Sequence, residues 1–368
     1  MRTLLLALLP FASACTAGDE ILYVGTYTGA DTGSRGIYRY RLSPEGQLSD
    51  LGLDVESDNP SFLTLTPDGR TLLAVNETEA GSLQSFRLGK ARLDSGAQTL
   101  TLVSTSSSGG AHPCHVAVDA AGRVLVANYT GGNVGYLRVG VDAQLTQLLD
   151  VLGHSGDAGE VPHAHSVYFD PAREQSLSVD LGTGDLFAMR LVDWGERIPR
   201  PATPARLRLD SAAGPRHLAF HPNGRFAYVV NEFANTVTLL TRETPGGTLL
   251  SQSFGFAKQA SYPTRSEGFD GESYASHVAV SRDGRFLYAA NRGADAIAAF
   301  AVDGVTGGLT LVDEEPVRGD WPRHFALSGD EDFLVVANQR SSNLTVLRRD
   351  REDGTLSFAS EAAAPTPA

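Results

Sequence analysis

The chain has 368 residues, 42% apolar and 20% charged, a balance that fits a packed globular protein and excludes a disordered one. Its formal charge of −13 at pH 7 excludes the clustered Lys and Arg surface on which nucleic-acid binding depends. With two cysteines in all, Cys15 and Cys114, an intrachain disulfide is excluded if Cys15 is lipidated and stays open if it is not.

The first element is a leader over residues 1–14. Arg2 supplies its positive end, Leu4 to Phe11 an apolar run too short to cross a bilayer as a helix, and Ala12-Ser13-Ala14 a small-residue cleavage site. This pattern predicts export. Cys15 follows directly, as in a lipobox, and is the candidate lipidation site, although Ala12 stands where such motifs usually carry Leu. Two destinations stay open: a soluble periplasmic or secreted protein, or one lipid-anchored through Cys15 to the bacterial envelope, which is the only membrane association expected. Cys114 reads as a small residue in a packed strand.

From residue 19 to 368 the chain reads as one domain built on a repeat. A partial copy, ILYVGTYT, starts at Ile21. Full copies follow as NPSFLTLTPDGRTLLAVNE from Asn59, HPCHVAVDAAGRVLVANY from His112, PHAHSVYFDPAREQSLSVDLG from Pro162, GPRHLAFHPNGRFAYVVNE from Gly214, ASHVAVSRDGRFLYAANRG from Ala275 and WPRHFALSGDEDFLVVANQ from Trp321. Each is an alternating apolar stretch, a turn that usually carries Gly, and a second such stretch, which predicts a β-hairpin. A third and a fourth run follow most hairpins, as in Ala296 to Val302 and Leu309 to Val312. Four short antiparallel strands per unit, with no helical period, predict an all-β, seven-bladed β-propeller.

The residue ending each second strand recurs as Asn76, Asn128, Asp180, Asn231, Asn291 and Asn338, and the same spacing reaches back to Gly25. The chain thus begins at a second strand. The tail Glu361 to Ala368 shows no strand signal, so one blade is expected to be three-stranded or to lack its closing strand. The longest spacing, between Asn231 and Asn291, predicts an insertion over Tyr262 to Tyr274, polar and Gly-bearing, long enough to reach over a site.

In a propeller, first strands line the channel, and their starts share one end of it with the ends of second strands. Seven of the nine His fall there: His112, His115, His163, His165, His217, His277 and His324. The column Phe62, His115, Ser166, His217, His277, His324 repeats too regularly for a site and reads as framework, as does the Asn column. The adjacent columns vary. Just before the His column stand Ser61, Cys114, His165, Arg216, Ser276 and Arg323. Just after the Asn column stand Glu77, Tyr129, Leu181, Glu232, Arg292 and Gln339. Titratable groups without a regular pattern make Arg216, Glu232, Arg292, His163 and His165 the catalytic candidates, with Glu77, Tyr129 and Arg323 as substrate-binding candidates. The competing reading of Arg216 and Glu232 is a structural ion pair within one blade.

The motifs Pro162-His163-Ala164-His165, Gly214-Pro215-Arg216-His217 with Asn231-Glu232, and Asp283-Gly284-Arg285-Phe286-Leu287-Tyr288 with Asn291-Arg292-Gly293 resemble those of the seven-bladed lactonase family. That family includes bacterial 6-phosphogluconolactonases and fungal carboxy-muconate cyclases. The resemblance covers nearly the whole chain after the leader. It implies a catalytic group of a His, two Arg and a Glu, which fall on His163 or His165, on Arg216 and Arg292, and on Glu232. One departure is Ala275-Ser276-His277, where the family usually carries an acidic residue.

Lactone hydrolysis needs a base for water and a cation for the developing oxyanion. Glu232 or a His of the PHAH motif serves the first need, and Arg216 and Arg292 the second. The expected partner is a small-molecule lactone or anionic sugar acid, with no cofactor, no metal and no nucleic acid. Export points away from a phosphorylated lactone. Two alternatives remain: a muconate-type lactonising cycloisomerase using the same arginines for carboxylates, and a non-catalytic exported binding propeller.

Overall fold

Each predicted hairpin forms because apolar residues alternate on both sides of a turn that Asn or Asp and Gly can close. In strand β17 (Pro215–Phe220) and strand β18 (Phe226–Asn231) the turn is closed by Gly224 N bonding His221 O at 2.9 Å, with Gly224 at a φ of 69° that favours glycine. The computed structural model describes residues 2–5, 18–29, 31–89, 99–190, 205–210, 212–243, 254–266 and 268–368. Among these there are 28 strands, β1 to β28, and no helix. Consecutive strands pair in seven four-stranded sheets: β1–β4 (residues 2–56), β5–β8 (63–107), β9–β12 (113–153), β13–β16 (164–208), β17–β20 (215–263), β21–β24 (274–316) and β25–β28 (322–363). First strands of neighbouring sheets touch, as β17 does β21 (Tyr274–Val280), so they line the axis. The middle strands are apolar on both faces because each blade packs between two others, as where Tyr288 and Ile297 meet Phe325 and Val336 across the sixth and seventh blades.

Blade one closes differently from the sequence expectation. No blade is three-stranded: β1 (Arg2–Leu5), part of the segment read as a leader, pairs parallel with Glu20–Tyr23 of β2 (Glu20–Val24). The tail is not strand-free either. Its Glu361, Ala362 and Ala363 end β28 (Leu356–Ala363), paired to Thr345, Leu344 and Asn343, because ladder hydrogen bonds override a weak local propensity. Beyond it Pro367 bridges Thr26 antiparallel, as Pro215 pairs Asn231 and Pro322 pairs Asn338. The member of the Asn column in blade one is therefore Thr26, one residue later than Gly25. The insertion is also more divided than expected. Part lies in residues 264–273, where the Thr264 hydroxyl bonds Asn291 at 2.6 Å and Ser266 bonds Glu314, so the loop is tied to blade six. The rest lengthens the connection at 243–255, of which 244–253 fall outside the described residues.

The axis is filled by aromatic and imidazole rings. His217 stands at its centre, with edge contacts to His115, His165 and His277 at ring-centroid distances of 5.5, 5.3 and 5.1 Å, while Phe62 stacks on His115 at 4.1 Å. All of these imidazoles are buried. Burial, reinforced by neighbouring imidazoles and by Arg216, holds His115, His217 and His277 well below the ordinary histidine value of 6.5, and burial with Arg216 and Arg323 holds His324 down to about 3. The unfolded chain takes up protons below about pH 6.5 and the folded chain does not, so this stabilisation is complete above that pH and is lost as pH falls toward about 3. The urea midpoint is expected to fall steadily from pH 6.5 to pH 5, and a midpoint that holds constant over that range refutes the account. A second test concerns Asp54, buried 3.2 Å from Arg39 and accepting from the backbone of Thr99 and Leu100 at 3.0 and 2.7 Å, which ties blade one to blade two. Asp54→Ala removes a buried carboxylate that pairs with Arg39 and accepts from two backbone N–H groups, and it is expected to lower unfolding free energy by about 3–5 kcal/mol in denaturant titrations.

Candidate active site

One irregularity builds the site. At the start of the first strand in blades three to seven, pairing with the second strand skips. Pro215 pairs Asn231 and His217 pairs Val230, so Arg216 has no cross-strand partner; the same skip isolates Cys114, His165 and Arg323, and leaves Ser276 and His277 between paired Ala275 and Val278. Strict alternation would send residues 216 and 217 to opposite faces. A β-bulge inserts one residue and re-aims the side chain, so both adjacent columns reach the axis.

The charged centre joins blades five and six. Arg216 Nε lies 3.0 Å and Arg292 NH2 2.9 Å from the same oxygen, Oε2 of Glu232. Glu232 directly follows β18, and Arg292 ends β22 (Phe286–Arg292). The side chain of Arg216 is 3% exposed and that of Arg292 6%, against 16% for that of Glu232. Burial pushes the pKa of Arg216 down, Arg323 adds to the push, and Glu232 opposes it. Burial and Arg216 push Arg292 down to about 9, which leaves it a cation at neutral pH. Arg292 is further fixed by its Nε–H bond to Tyr274 O at 3.1 Å and by the face of Trp321 at 5.3 Å.

A second charged group faces the same mouth from blades one, two and seven. Arg323 NH2 donates to the Tyr27 hydroxyl at 2.7 Å, and that hydroxyl donates to Glu77 Oε2 at 2.8 Å. Burial holds Tyr27 above its ordinary value, so it stays a neutral phenol between the two charges. Glu77, Cys114, Arg216, Arg323 and Ala368 line a cleft of about 260 Å³, counting space open to solvent. Tyr27 was missed from sequence because the spacing matched Gly25 to the Asn column. With Thr26 in that column, Tyr27 takes the place of Glu77 and Glu232, and its N–H bonds Thr366 O as theirs bond Asn59 O and Gly214 O.

His163 and His165 are brought to the same side. The ring of half-buried His163 stacks on Tyr129 at 4.5 Å, with Nδ1 3.2 Å from Tyr129 O. A carbonyl only accepts, so the proton sits on Nδ1 and the lone pair on Nε2. His165 is buried, 3.9 Å through Nδ1 from the Cys114 thiol, and burial with Arg216 and Arg323 holds it well below 6.5. Tyr129 links these rings to the charged centre, since its pKa is raised by burial first and then by Glu232. The Cys114 thiol is pushed up by burial and donates to His165 O at 3.3 Å, as a packed cysteine does. Cys15 lies outside the described residues.

One further cluster escaped the sequence reading. His154 Nδ1 lies 2.7 Å from Asp180 Oδ2 and its Nε2 lies 2.9 Å from Ser178 Oγ, the order of a Ser-His-Asp triad. All three side chains are sealed from solvent, and Asp180 Oδ1 is taken up by the backbone N–H of His163, Gly182 and Thr183. The cluster therefore shapes the PHAH segment and admits no substrate. At the axis, one ring nitrogen each from His217, His277 and His324 lies within 4.8 Å of the others, the one group among the described residues with the spacing of a metal site.

The sequence over residues 21–368 matches the family model described as lactonase, 7-bladed beta-propeller. A 6-phosphogluconolactonase of Bacillus subtilis is 33% identical over 345 residues, covering 91% of this chain and 93% of its own. A 6-phosphogluconolactonase of Formosa agariphila is 31% identical over 349 residues, covering 91% and 94%. The structure of a periplasmic gluconolactonase of Pseudomonas aeruginosa superposes with a TM-score of 0.84 at 31% identity, covering 94% of this chain and 96% of that one. With its seven blades, its single match over nearly its whole length and these relatives, the chain belongs to the seven-bladed β-propeller lactonase family.

Proposed function

We propose that the protein is a lactonase that opens an unphosphorylated sugar-type lactone at this mouth of the channel. The observation that carries the reading is the Glu232 carboxylate held between Arg216 and Arg292, with the unprotonated Nε2 of His163 on the same side. The arginines offer N–H groups to the carbonyl oxygen as it gains charge, in a water-poor place where such donors count most. His163 takes the proton of the attacking water, its tautomer set by the Tyr129 carbonyl. Glu232 keeps the two cations side by side, its Oε2 3.0 Å from Arg216 Nε and 2.9 Å from Arg292 NH2.

Charge favours the substrate class. Arg216, Arg292 and Arg323 face Glu232 and Glu77, which leaves one net positive charge at the mouth, and every guanidinium there already has a partner. That suits a neutral ring becoming a monoanionic sugar acid. A phosphate monoester brings about 1.5 to 2 negative charges, more than that single net positive charge matches. The Pseudomonas relative, described as a periplasmic gluconolactonase, supports the same substrate class. We further propose export. Loss of the leader would remove Arg2–Leu5 from blade one and leave the inner edge of β2 to the tail that enters at Pro367.

Hydrolysis of a δ-aldonolactone by purified protein, followed by acid release, tests the reading. Its kcat/KM is expected to exceed that for the 6-phospho form by about tenfold or more. Arg292→Ala should lower kcat by about 10²–10³-fold, and His163→Asn, which keeps a donor for Tyr129 O, by about 10²–10⁴-fold. Wild-type rates in both variants would remove these residues from the mechanism. Turnover of an unsaturated diacid without lactone hydrolysis would favour the cycloisomerase instead.

A further inference from the structure

Three buried imidazoles with the spacing of a metal site lie beside Arg216, and their hydrogen bonds decide what they can do. We infer that Arg216 locks the proton positions of His217 and His277, so that the trio is a strut holding the Arg216 guanidinium and is closed to a metal ion. A guanidinium only donates. Arg216 NH1 stands 3.3 Å from His217 Nε2, so that nitrogen accepts and the proton of neutral His217 is on Nδ1. His217 Nδ1 stands 2.8 Å from His277 Nδ1, which must then accept and carry its own proton on Nε2. The chain ends there: His277 Nε2 is buried with no hydrogen-bond partner among the described residues, and so is His324 Nδ1.

The lock has two consequences. NH1 of Arg216 has both hydrogens engaged, on His217 and on Ser276 O, while Nε lies 3.0 Å from Glu232 Oε2 as an ion pair without hydrogen-bond geometry. With NH1 held at both hydrogens, the strut sets the orientation of the guanidinium that lines the cleft. Metal binding would have to undo the same bonds. A metal on His217 Nδ1 moves that proton to Nε2, against an Arg216 N–H at 3.3 Å. A metal on His277 Nε2 moves its proton to Nδ1, against the His217 N–H at 2.8 Å. A cation would also sit beside Arg216 and Arg323, whose charges already disfavour protonated His324. His217 and His277 are thus positioning residues for Arg216, and only their effect on turnover rests on the lactonase reading.

The proton positions can be read directly. In protein labelled with ¹⁵N-histidine, long-range ¹H–¹⁵N spectra at pH 7.5 should show His217 protonated on Nδ1 and His277 on Nε2. The opposite tautomer at either residue overturns the inference, whatever the enzyme activity. Arg216→Met leaves Glu232 its bond to Arg292 and should release the tautomers. It is expected to bind Zn²⁺ about tenfold or more tighter than wild type by calorimetry, with the gain abolished by adding His324→Phe. Tight Zn²⁺ binding by wild type that His324→Phe removes would also overturn it. If Arg216→Met does not fold, the wild-type spectrum and titration still decide. In turnover, His277→Asn places an oxygen where Nδ1 was and should keep about tenfold more kcat/KM than His277→Gln, whose amide matches Nε2. Equal loss in the two contradicts positioning, whereas an inactive wild type contradicts only the proposed reaction.

Discussion

A single extra residue at the start of the inner strands governs how this propeller makes a site. In a regular strand, neighbours face opposite ways, and a residue beside the axial His column would point into the blade interface. The bulges at Cys114, His165, Arg216, Ser276 and Arg323 break that rule in five successive blades. The ring of blades then does the rest, because side chains far apart in sequence meet at one mouth. Neither the shared carboxylate of Glu232 nor the axial ring of imidazoles could be assembled from unbulged strands, since one column or the other would be lost.

Bringing these groups together has an electrostatic cost. Two guanidiniums almost sealed from water repel each other and lose hydration, and both are pushed toward neutrality. Glu232 between them offsets part of that, and the faces of Trp321 and Tyr274 beside Arg292 supply more. The same fields keep the axial imidazoles uncharged. A ring of neutral histidines around a small set of cations is a place where hydrogen-bond direction, and not net charge, distinguishes one imidazole from the next.

The seven blades, their order and the mouth of the channel were legible in the sequence because a repeat is its own alignment. Comparing columns also separated Arg216, Glu232 and Arg292 from the regular His and Asn positions, and the structure brings those three into one ion-paired group. What stayed illegible was whatever departs from the repeat. Tyr27 was hidden by a one-residue offset, since Thr26 replaces the usual Asn and bonds Gly36 O instead. The tail carries Ala and Pro where other blades carry β-branched residues, yet Thr366 to Ala368 enter blade one by backbone pairing, which needs no side-chain signal. The bulges left no mark at all, because any residue type can occupy them.

Blade four shows why residue type and geometry together still do not make a site. Asp180 stands where most other blades carry Asn, and with it come His154 and Ser178 in the order of a hydrolytic triad. The Asn side chains elsewhere bond backbone carbonyls such as Asp58 O and Thr264 O. An Asp cannot donate to a carbonyl, so the change from Asn requires a donor in its place, and His154 is that donor. Ser178 then satisfies the remaining ring nitrogen of a buried imidazole. Each member of the triad is accounted for by the need to satisfy the one before it, and the loop that results holds the backbone of His163. The nucleophile-like serine is thus a by-product of positioning, sealed from any substrate together with the His and Asp that satisfy it.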